Sequence, residues 1–325
     1  MKIPHSVRAL YAEQLPINER LRAKVDKTLR AIAAPRRWYY ESRIKTEDSF
    51  ALKLESGRVR DPRAAEDFFA CTLVVQNLSA IEQAEQKIRD LFQIVERRPR
   101  AADQTHKLAE TFPFDDLRLY GLWKDDPSLP ETGLSPVRFE IQVKTFLQHA
   151  WGIATHDLIY KTDDVSWSRQ RIAYQIKAML EHAEVSIQEA DRLAQTVALA
   201  KSQPDTEVLK DIILLLKETW DSASLPADLR RLAENTRNIM TLARIEVAEV
   251  RAAIEAECRR QKGSLPANIS PYATIVQAVA WHNGQALRAG LAKRGLSVRL
   301  LLTDEMDLPD WIKQPEICNV VRAAS

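Results

Sequence analysis

Residues 68–75, FFACTLVV, constrain the fold of this 325-residue chain more than any other segment. A short apolar run with β-branched side chains is typical of a buried strand. Residues 137–143, VRFEIQV, alternate between apolar and polar side chains, which predicts a strand with one polar face. Shorter strands are predicted at 94–96 and 117–123. The first half of the chain is therefore expected to contain a covered sheet.

Helical spacing of apolar residues predicts the elements that cover this sheet. The helices predicted for the first half span 6–34, 78–92 and 145–160, and the first is expected to be interrupted near Pro16. Alternating strands and helices predict an α/β or α+β fold, with a mixed sheet flanked by helices. Beyond residue 166 the pattern is mainly helical, with helices predicted at 168–200, 207–219, 228–262 and 275–294 and a strand at 296–302.

These patterns divide the chain into three segments. Residues 1–165 form the predicted α/β domain with its N-terminal helix, and residues 166–262 form a helical extension. A small segment of unknown role follows at 263–325. Three roles stay open for the helices after residue 166: they could form a homo-oligomer, neutralise the first domain, or sense a signal.

The composition excludes several classes of protein. With 45% hydrophobic and 28% charged residues, the chain is neither disordered nor embedded in a membrane. Its 47 basic and 45 acidic side chains exclude a general polycation, so any nucleotide or nucleic acid must bind to a local patch. Cys71, Cys258 and Cys318 form no metal-binding pair. The absence of a signal peptide and of a long apolar run predicts a cytoplasmic protein without a membrane partner.

A basic cluster precedes the apolar strand and suits a polyphosphate. It consists of Arg43, Lys45, Ser49 and Lys53. The planar arginine can stack on a base or bind phosphate oxygens, lysine provides a compact charge, and serine donates a hydrogen bond. The alternative is a solvated basic helix face.

Two carboxylates follow that could bind a metal ion. Asp67 comes directly before the apolar strand, and Glu140 lies with Gln142 on the polar face of residues 137–143. Mg²⁺ takes one or two carboxylates together with substrate phosphates. A capping or surface role for Asp67 is the alternative. In the helix that follows, His149 and His156 are seven residues apart, too far to bind one ion together, and either is more often a packed residue.

In this order and spacing, these residues resemble the RelA/SpoT synthetase domain over residues 38–165. The matching pieces are Arg43-Lys45-Ser49-Lys53, Asp67, Glu140-Gln142-Lys144-Thr145 and His149-Trp151-His156-Tyr160-Lys161. Because only residues 1–37 precede the match, we expect a synthetase without the hydrolase of the long members, similar to the small alarmone synthetases. The resemblance implies a nucleotidyltransferase-like fold that transfers pyrophosphate from ATP to a ribose 3′-hydroxyl, producing (p)ppGpp-type alarmones of the stringent response.

The resemblance also implies a role for each matching residue. Arg43 would stack on the adenine, while Lys45, Ser49 and Lys53 would bind the ATP phosphates. Asp67 and Glu140 would bind Mg²⁺ and act as the catalytic residues, with Glu140 also the base for the acceptor hydroxyl. The acceptor, GDP, GTP or another purine nucleotide, would contact Phe114, Arg118, Gln142, Lys144, His156 and Lys161.

The chain departs from the family pattern mainly in the residues that concern the acceptor. Ala70 stands where the family has glycine, Thr72 where it has arginine, and Phe114 and Arg118 replace the tyrosine and histidine of the acceptor loop. Two alternatives therefore stay open. One is pyrophosphate transfer to tRNA 3′ ends by a toxin, with a groove formed by Arg58, Arg60, Arg63 and residues 97–100. The other is a binding or regulatory module without catalysis.

Overall fold

The computed structural model describes residues 1–57, 59, 61–101, 105, 116–124, 133–159, 166–293, 298–314 and 317–323, except for the side chains of residues 64 and 156–159. The chain divides into two compact units, Met1–Leu199 and Ala200–Ser325. The three-segment division expected from the sequence stays a prediction.

The first unit is built on a mixed sheet. Its strands are β1 Tyr39–Ile44, β2 Phe69–Val75, β3 Phe92–Arg98, β4 Leu117–Trp123 and β5 Phe139–Thr145. They lie in the order β1-β2-β5-β4-β3, with β2 and β5 parallel and the other neighbours antiparallel. The predicted mixed sheet is confirmed. The sequence pattern missed β1, an edge strand with one buried side chain, Tyr40, and therefore no apolar run.

Helices cover this sheet as predicted. Those of the first unit are α1 His5–Ala33, α2 Glu47–Glu55, α3 Ser79–Leu91, α4 Phe146–Ile159, α5 Trp167–Gln188 and α6 Ala190–Ala194. On α1, Leu21, Val25 and Leu29 recur at helical spacing and are fully buried in the core beneath the sheet. Ala84 and Ile88 of α3 enter the same core, so one face of the sheet is sealed by apolar packing.

The predicted interruption at Pro16 is wrong, because α1 is continuous through it. Proline removes one backbone donor and leaves the carbonyl of residue 12 without its helical partner. Both Ala12 and Pro16 are exposed, so water can solvate that carbonyl. The packing of the following turns then suffices to maintain the helix.

The second unit is mainly helical, as predicted. It contains α7 Pro204–Thr219, α8 Leu229–Ala243, α9 Val247–Arg260, α10 Pro271–His282 and α11 Gly284–Leu291, with the parallel strands β6 Leu300–Thr303 and β7 Val320–Ala323. The single helix expected at 228–262 is wrong. Arg244 adopts a left-handed conformation, and Glu246 forms a capping box with Glu249 that starts α9. In the described part of the chain, every helix is too short or too polar to span a bilayer.

A buried charged cluster connects the helices of the second unit. The Glu257 carboxylate is fully buried and accepts hydrogen bonds from Arg260 at 2.7 Å and from Gln277 at 2.6 Å. Arg260 also contacts Asp307 at 2.6 Å. Burial alone would raise the pKa of Glu257, but the hydrogen bonds from Arg260 and Gln277 outweigh it and lower the pKa to about 2.

We expect this cluster to make stability depend on acid pH. Because the folded-state pKa of Glu257 lies below its unfolded value near 4.5, its contribution is complete above pH 4.5 and is lost as pH falls toward 2. The difference corresponds to about 3 kcal/mol of unfolding free energy. Urea titrations between pH 7 and pH 2.5 should show this loss, and Glu257→Gln should remove it. Glu255→Gln, an exposed change on the same helix, is the control; an unchanged pH dependence in Glu257→Gln would contradict the assignment.

Candidate functional site

One face of the sheet is polar, and it carries part of the predicted site. In β5 the apolar Phe139, Ile141 and Val143 enter the core, so the alternation of a strand points Glu140, Gln142 and Lys144 to the opposite face. The parallel register places Ala70 of β2 beside Glu140, and Thr72 beside Gln142. The antiparallel register of β1 and β2 places Arg43 beside Ala70.

A cavity of about 690 Å³ lies on this polar face. Four predicted residues line it: Arg43, Arg118, Gln142 and Lys144. A space of this size suits a nucleotide-sized ligand. The structure thus brings together one predicted donor-site residue and three predicted acceptor-site residues around one cavity.

Two carboxylates partly neutralise the positive charge of the cavity. The Asp116 carboxylate lies 4.0 Å from both the Lys144 ammonium and the Arg118 guanidinium. Glu41 lines the other side. Three cations against two anions leave a modest positive excess, which favours an anionic ligand that also offers hydrogen-bond donors.

His149 lines the same cavity. Its ring lies 5.5 Å from the ring of Tyr39, and its Nδ1 is 4.0 Å from the Glu41 carboxylate. Burial lowers the pKa of His149, Glu41 partly opposes this, and the Lys144 charge adds to the lowering. The imidazole therefore favours its neutral form, which can both donate and accept a hydrogen bond.

Helix α5 supports the wall of the cavity at Trp151. The Trp151 indole N–H donates to the carbonyl of Ala173 at 2.9 Å, and the Lys177 ammonium lies 4.1 Å from the indole ring. The buried Glu184 accepts hydrogen bonds from Thr145 and from Gln148. Because α5 begins at Trp167, the first unit extends beyond residue 165, where the sequence pattern changes.

Lys45, Lys53 and Asp67 form a second group. Lys45 follows β1, and its Nζ lies 2.6 Å from Asp67 Oδ2; the Nζ of Lys53, from the last turn of α2, lies 2.6 Å from Oδ1. Ser49 lies in the first turn of α2, where its backbone N–H and its hydroxyl both contact the Thr46 hydroxyl. We call Lys45, Lys53 and Asp67 the lysine cluster.

The two lysines of the lysine cluster keep the Asp67 carboxyl group ionised. Burial alone would raise the pKa of Asp67, but the hydrogen bonds and charges of Lys45 and Lys53 outweigh burial and lower it. Lys45 and Asp67 expose only 13% and 20% of their side chains, so this is a largely desolvated arrangement rather than a solvated helix face. Two ammonium groups on one carboxylate leave an excess positive charge that suits phosphate.

Glu140 is held by two hydrogen-bond donors. It is 5% exposed, accepts a hydrogen bond from the Gln142 amide on Oε1, and accepts another from the Tyr120 hydroxyl on Oε2 at 3.3 Å. A carboxylate held on both oxygens keeps a fixed orientation, and it retains lone pairs for a further partner.

Sequence reasoning missed the network behind Tyr120. The Arg98 guanidinium donates to the Tyr120 hydroxyl at 3.1 Å and lies 4.4 Å from the centre of its ring. Glu96 pairs with both Arg98 and Arg138, and Glu66 contacts Arg138 at 2.5 Å. Burial raises the pKa of Tyr120 to about 12, with the Glu140 charge adding to it, so the hydroxyl remains a donor. Arg118 and Tyr120 are two residues apart in β4, so strand alternation places both on the same face of the sheet. This spacing was the signal that the sequence offered for Tyr120.

Three predicted residues cannot be located in this site. Phe114 and Lys161 lie outside the described residues, as does the side chain of His156, whose backbone belongs to α4. Their acceptor roles stay predictions. Of the four departures from the family pattern, Ala70, Thr72 and Arg118 are described, and all three line the cavity.

The two predicted metal-binding carboxylates suit Mg²⁺ chemically. Hard carboxylate oxygens are its preferred ligands, and it often binds one or two of them with substrate phosphates supplying the rest. The lowered pKa of Asp67 keeps that ligand ionised. Within the described residues, no cluster of three or more histidine, cysteine or acidic side chains could hold a metal ion.

No protein-family model and no curated protein matches this chain. Among solved structures, it is similar to small alarmone synthetase 1 from Bacillus subtilis, with 16% identity over 57% of this chain and 95% of the other, at a TM-score of 0.42. Small alarmone synthetase 2 from the same organism is 16% identical over 56% of this chain and 98% of the other, at a TM-score of 0.46. A GTP pyrophosphokinase family protein from Streptococcus pneumoniae is 16% identical over 59% of this chain and 98% of the other, at a TM-score of 0.45.

Proposed function

We propose that the chain transfers pyrophosphate from ATP to the 3′-hydroxyl of a purine nucleotide, as a (p)ppGpp synthetase does. The observation that carries this proposal is the lysine cluster, in which two ammonium groups converge on one ionised carboxylate. Such a site can exchange its internal ion pairs for the oxygens of a polyphosphate. A solvated basic face would not bury these groups.

The second support is Glu140, whose Oε1 accepts a hydrogen bond from Gln142, a residue that lines the cavity. The acceptor 3′-oxygen would form a bond to the β-phosphorus of ATP, the bond from that phosphorus to the α–β bridging oxygen would break, and AMP would leave. Glu140 would accept the proton of the 3′-hydroxyl. Asp67 and Glu140 would hold Mg²⁺, which supplies charge neutralisation for the phosphates when bound.

The charge distribution favours a nucleotide acceptor over tRNA. Arg97 is paired with Glu85 at 3.0 Å, Arg98 is paired with Glu96, and Arg63 lies 3.8 Å from Glu13. These ion pairs compete with a phosphate backbone for three of the six arginines of the expected groove. Arg58 and Arg60 lie outside the described residues.

Radiolabelled ATP tests the proposal. The purified chain is incubated with γ-labelled ATP and one of GDP, GTP, ADP, unlabelled ATP or bulk tRNA. We expect a labelled product with a purine nucleotide and none with tRNA. Labelled tRNA would support the toxin alternative. The absence of labelled product with all five acceptors would favour a non-catalytic module. Thr72, which stands where the family has arginine, is consistent with that alternative.

We expect Tyr120→Phe to slow transfer without weakening substrate binding. The change removes the hydrogen bond to Glu140 but keeps the ring between its neighbours, so kcat should fall about tenfold while KM and Tm stay nearly constant. Steady-state kinetics and thermal unfolding measure the three values. Tyr174→Phe, the same change at a half-exposed position of α5, is the control. A Tyr120→Phe enzyme with wild-type kcat would show that this hydroxyl does not position Glu140.

A further inference from the structure

A second cleft lies on the first unit, apart from the cavity described above. It has a volume of about 490 Å³, within the range of small-molecule sites. Its walls include the apolar side chains of Ile17, Leu122 and Val137. Its polar lining includes Asn18 of α1 and Arg138, which precedes β5.

Two buried polar atoms on these lining residues have unused hydrogen-bonding capacity. Asn18 is 3% exposed; its amide N–H donates to the carbonyl of Gln14 at 2.9 Å, but its Oδ1 has no partner among the described residues. The Nε of Arg138 likewise has none there, although both terminal nitrogens of this guanidinium are engaged by Glu66 and Glu96. Buried polar atoms are nearly always paired, so this acceptor and this donor call for an explanation.

The charges of the cleft point to an uncharged ligand. Arg138 is neutralised by its two carboxylates, and Arg63 at the rim lies 3.8 Å from Glu13. A charged ligand would therefore find no unpaired countercharge among the described lining residues. Among the buried polar atoms of the lining, one acceptor and one donor have no partner in the described residues. A flat nitrogen heterocycle with a hydrogen-bond donor and an acceptor on its edge has matching chemistry.

We propose that this cleft binds an uncharged nitrogen heterocycle, such as the base of a nucleoside, as an effector. Arg138 connects the cleft to Glu140, because its guanidinium lies 5.2 Å from the Tyr120 ring and Tyr120 donates to Glu140. A ligand that binds Arg138 Nε would bias the position of that guanidinium. The bound ligand would thereby change the rate of pyrophosphate transfer. This effector role rests on the proposed function.

Binding can be tested without any catalytic assay. Adenosine, guanosine, cytidine and uridine are each titrated into the full chain by calorimetry, in the absence of ATP. We expect at least one to bind with a Kd below about 1 mM. Asn18→Leu, which removes the acceptor at similar volume, should weaken binding about tenfold, and Val137→Trp, which fills the cleft, should abolish it. Asn268→Leu, the same change on the exposed surface of the second unit, should leave binding unchanged.

The outcomes separate this inference from the proposed function. If no nucleoside binds, or if binding survives both cleft variants with a wild-type Tm, the cleft holds solvent only and the inference is wrong. If a nucleoside binds and both variants lose it, the site stands even when the chain transfers no pyrophosphate. In an active chain, the bound nucleoside should change kcat in wild type and not in Val137→Trp; an unchanged kcat would overturn the effector role.

Discussion

Glu140→Gln should abolish pyrophosphate transfer while the chain remains folded. Glutamine has the same shape and can still accept a hydrogen bond from Tyr120, but it lacks the negative charge that would bind Mg²⁺ and accept the proton of the acceptor hydroxyl. Losing a carboxylate of this kind costs about 4 kcal/mol of transition-state stabilisation, which is roughly a thousandfold in kcat.

Kinetics and thermal unfolding of the same preparations check this expectation. Glu82→Gln, on the exposed first turn of α3, makes the same chemical change away from the site and should retain full activity. If folded Glu140→Gln turned over at the wild-type rate, Glu140 could be neither a metal ligand nor the base.

Asp67→Asn should have an effect of similar size for a different reason. The substitution leaves Lys45 and Lys53 without the carboxylate that both contact at 2.6 Å, so two ammonium groups face each other without a countercharge. It also removes the second carboxylate proposed for Mg²⁺. We expect kcat to fall about a thousandfold.

A binding measurement separates the two roles of Asp67. A catalytic role predicts that Asp67→Asn loses turnover but still binds ATP through the freed lysines. A purely structural role predicts a lower Tm with turnover preserved in the folded fraction. Asp48→Asn, on the exposed first turn of α2, should change neither property.

The strands were predictable because burial leaves a direct trace in the sequence. Residues 137–143 alternate since one face of β5 lies in the core, and this alternation correctly separated Glu140 and Gln142 from Phe139 and Ile141. In contrast, β1 and α2 gave little apolar signal, because β1 is an edge strand and α2 buries only Phe50 and Ala51. The residues of these two elements were recognised by their chemistry instead.

The grouping of the site was harder to predict than its members. Sequence spacing cannot indicate that Lys45 and Lys53 meet on Asp67, since this depends on the turn between β1 and α2. Three side chains from different strands or strand ends contact Glu140 or its neighbours: Tyr120, Arg98 and Arg138. No local sequence motif links these three residues. Side chains that hold a reactive group in place are therefore the part of this site that needed the structure.

The most direct test of the proposed function is the identity of the product formed from γ-labelled ATP and the acceptor that the labelling assay selects. We expect mass spectrometry to find the acceptor nucleotide with two added phosphates on its 3′-oxygen, together with one AMP for each product molecule. Glu140→Gln should form neither. Release of ADP instead of AMP, or a single phosphate on the product, would contradict pyrophosphate transfer.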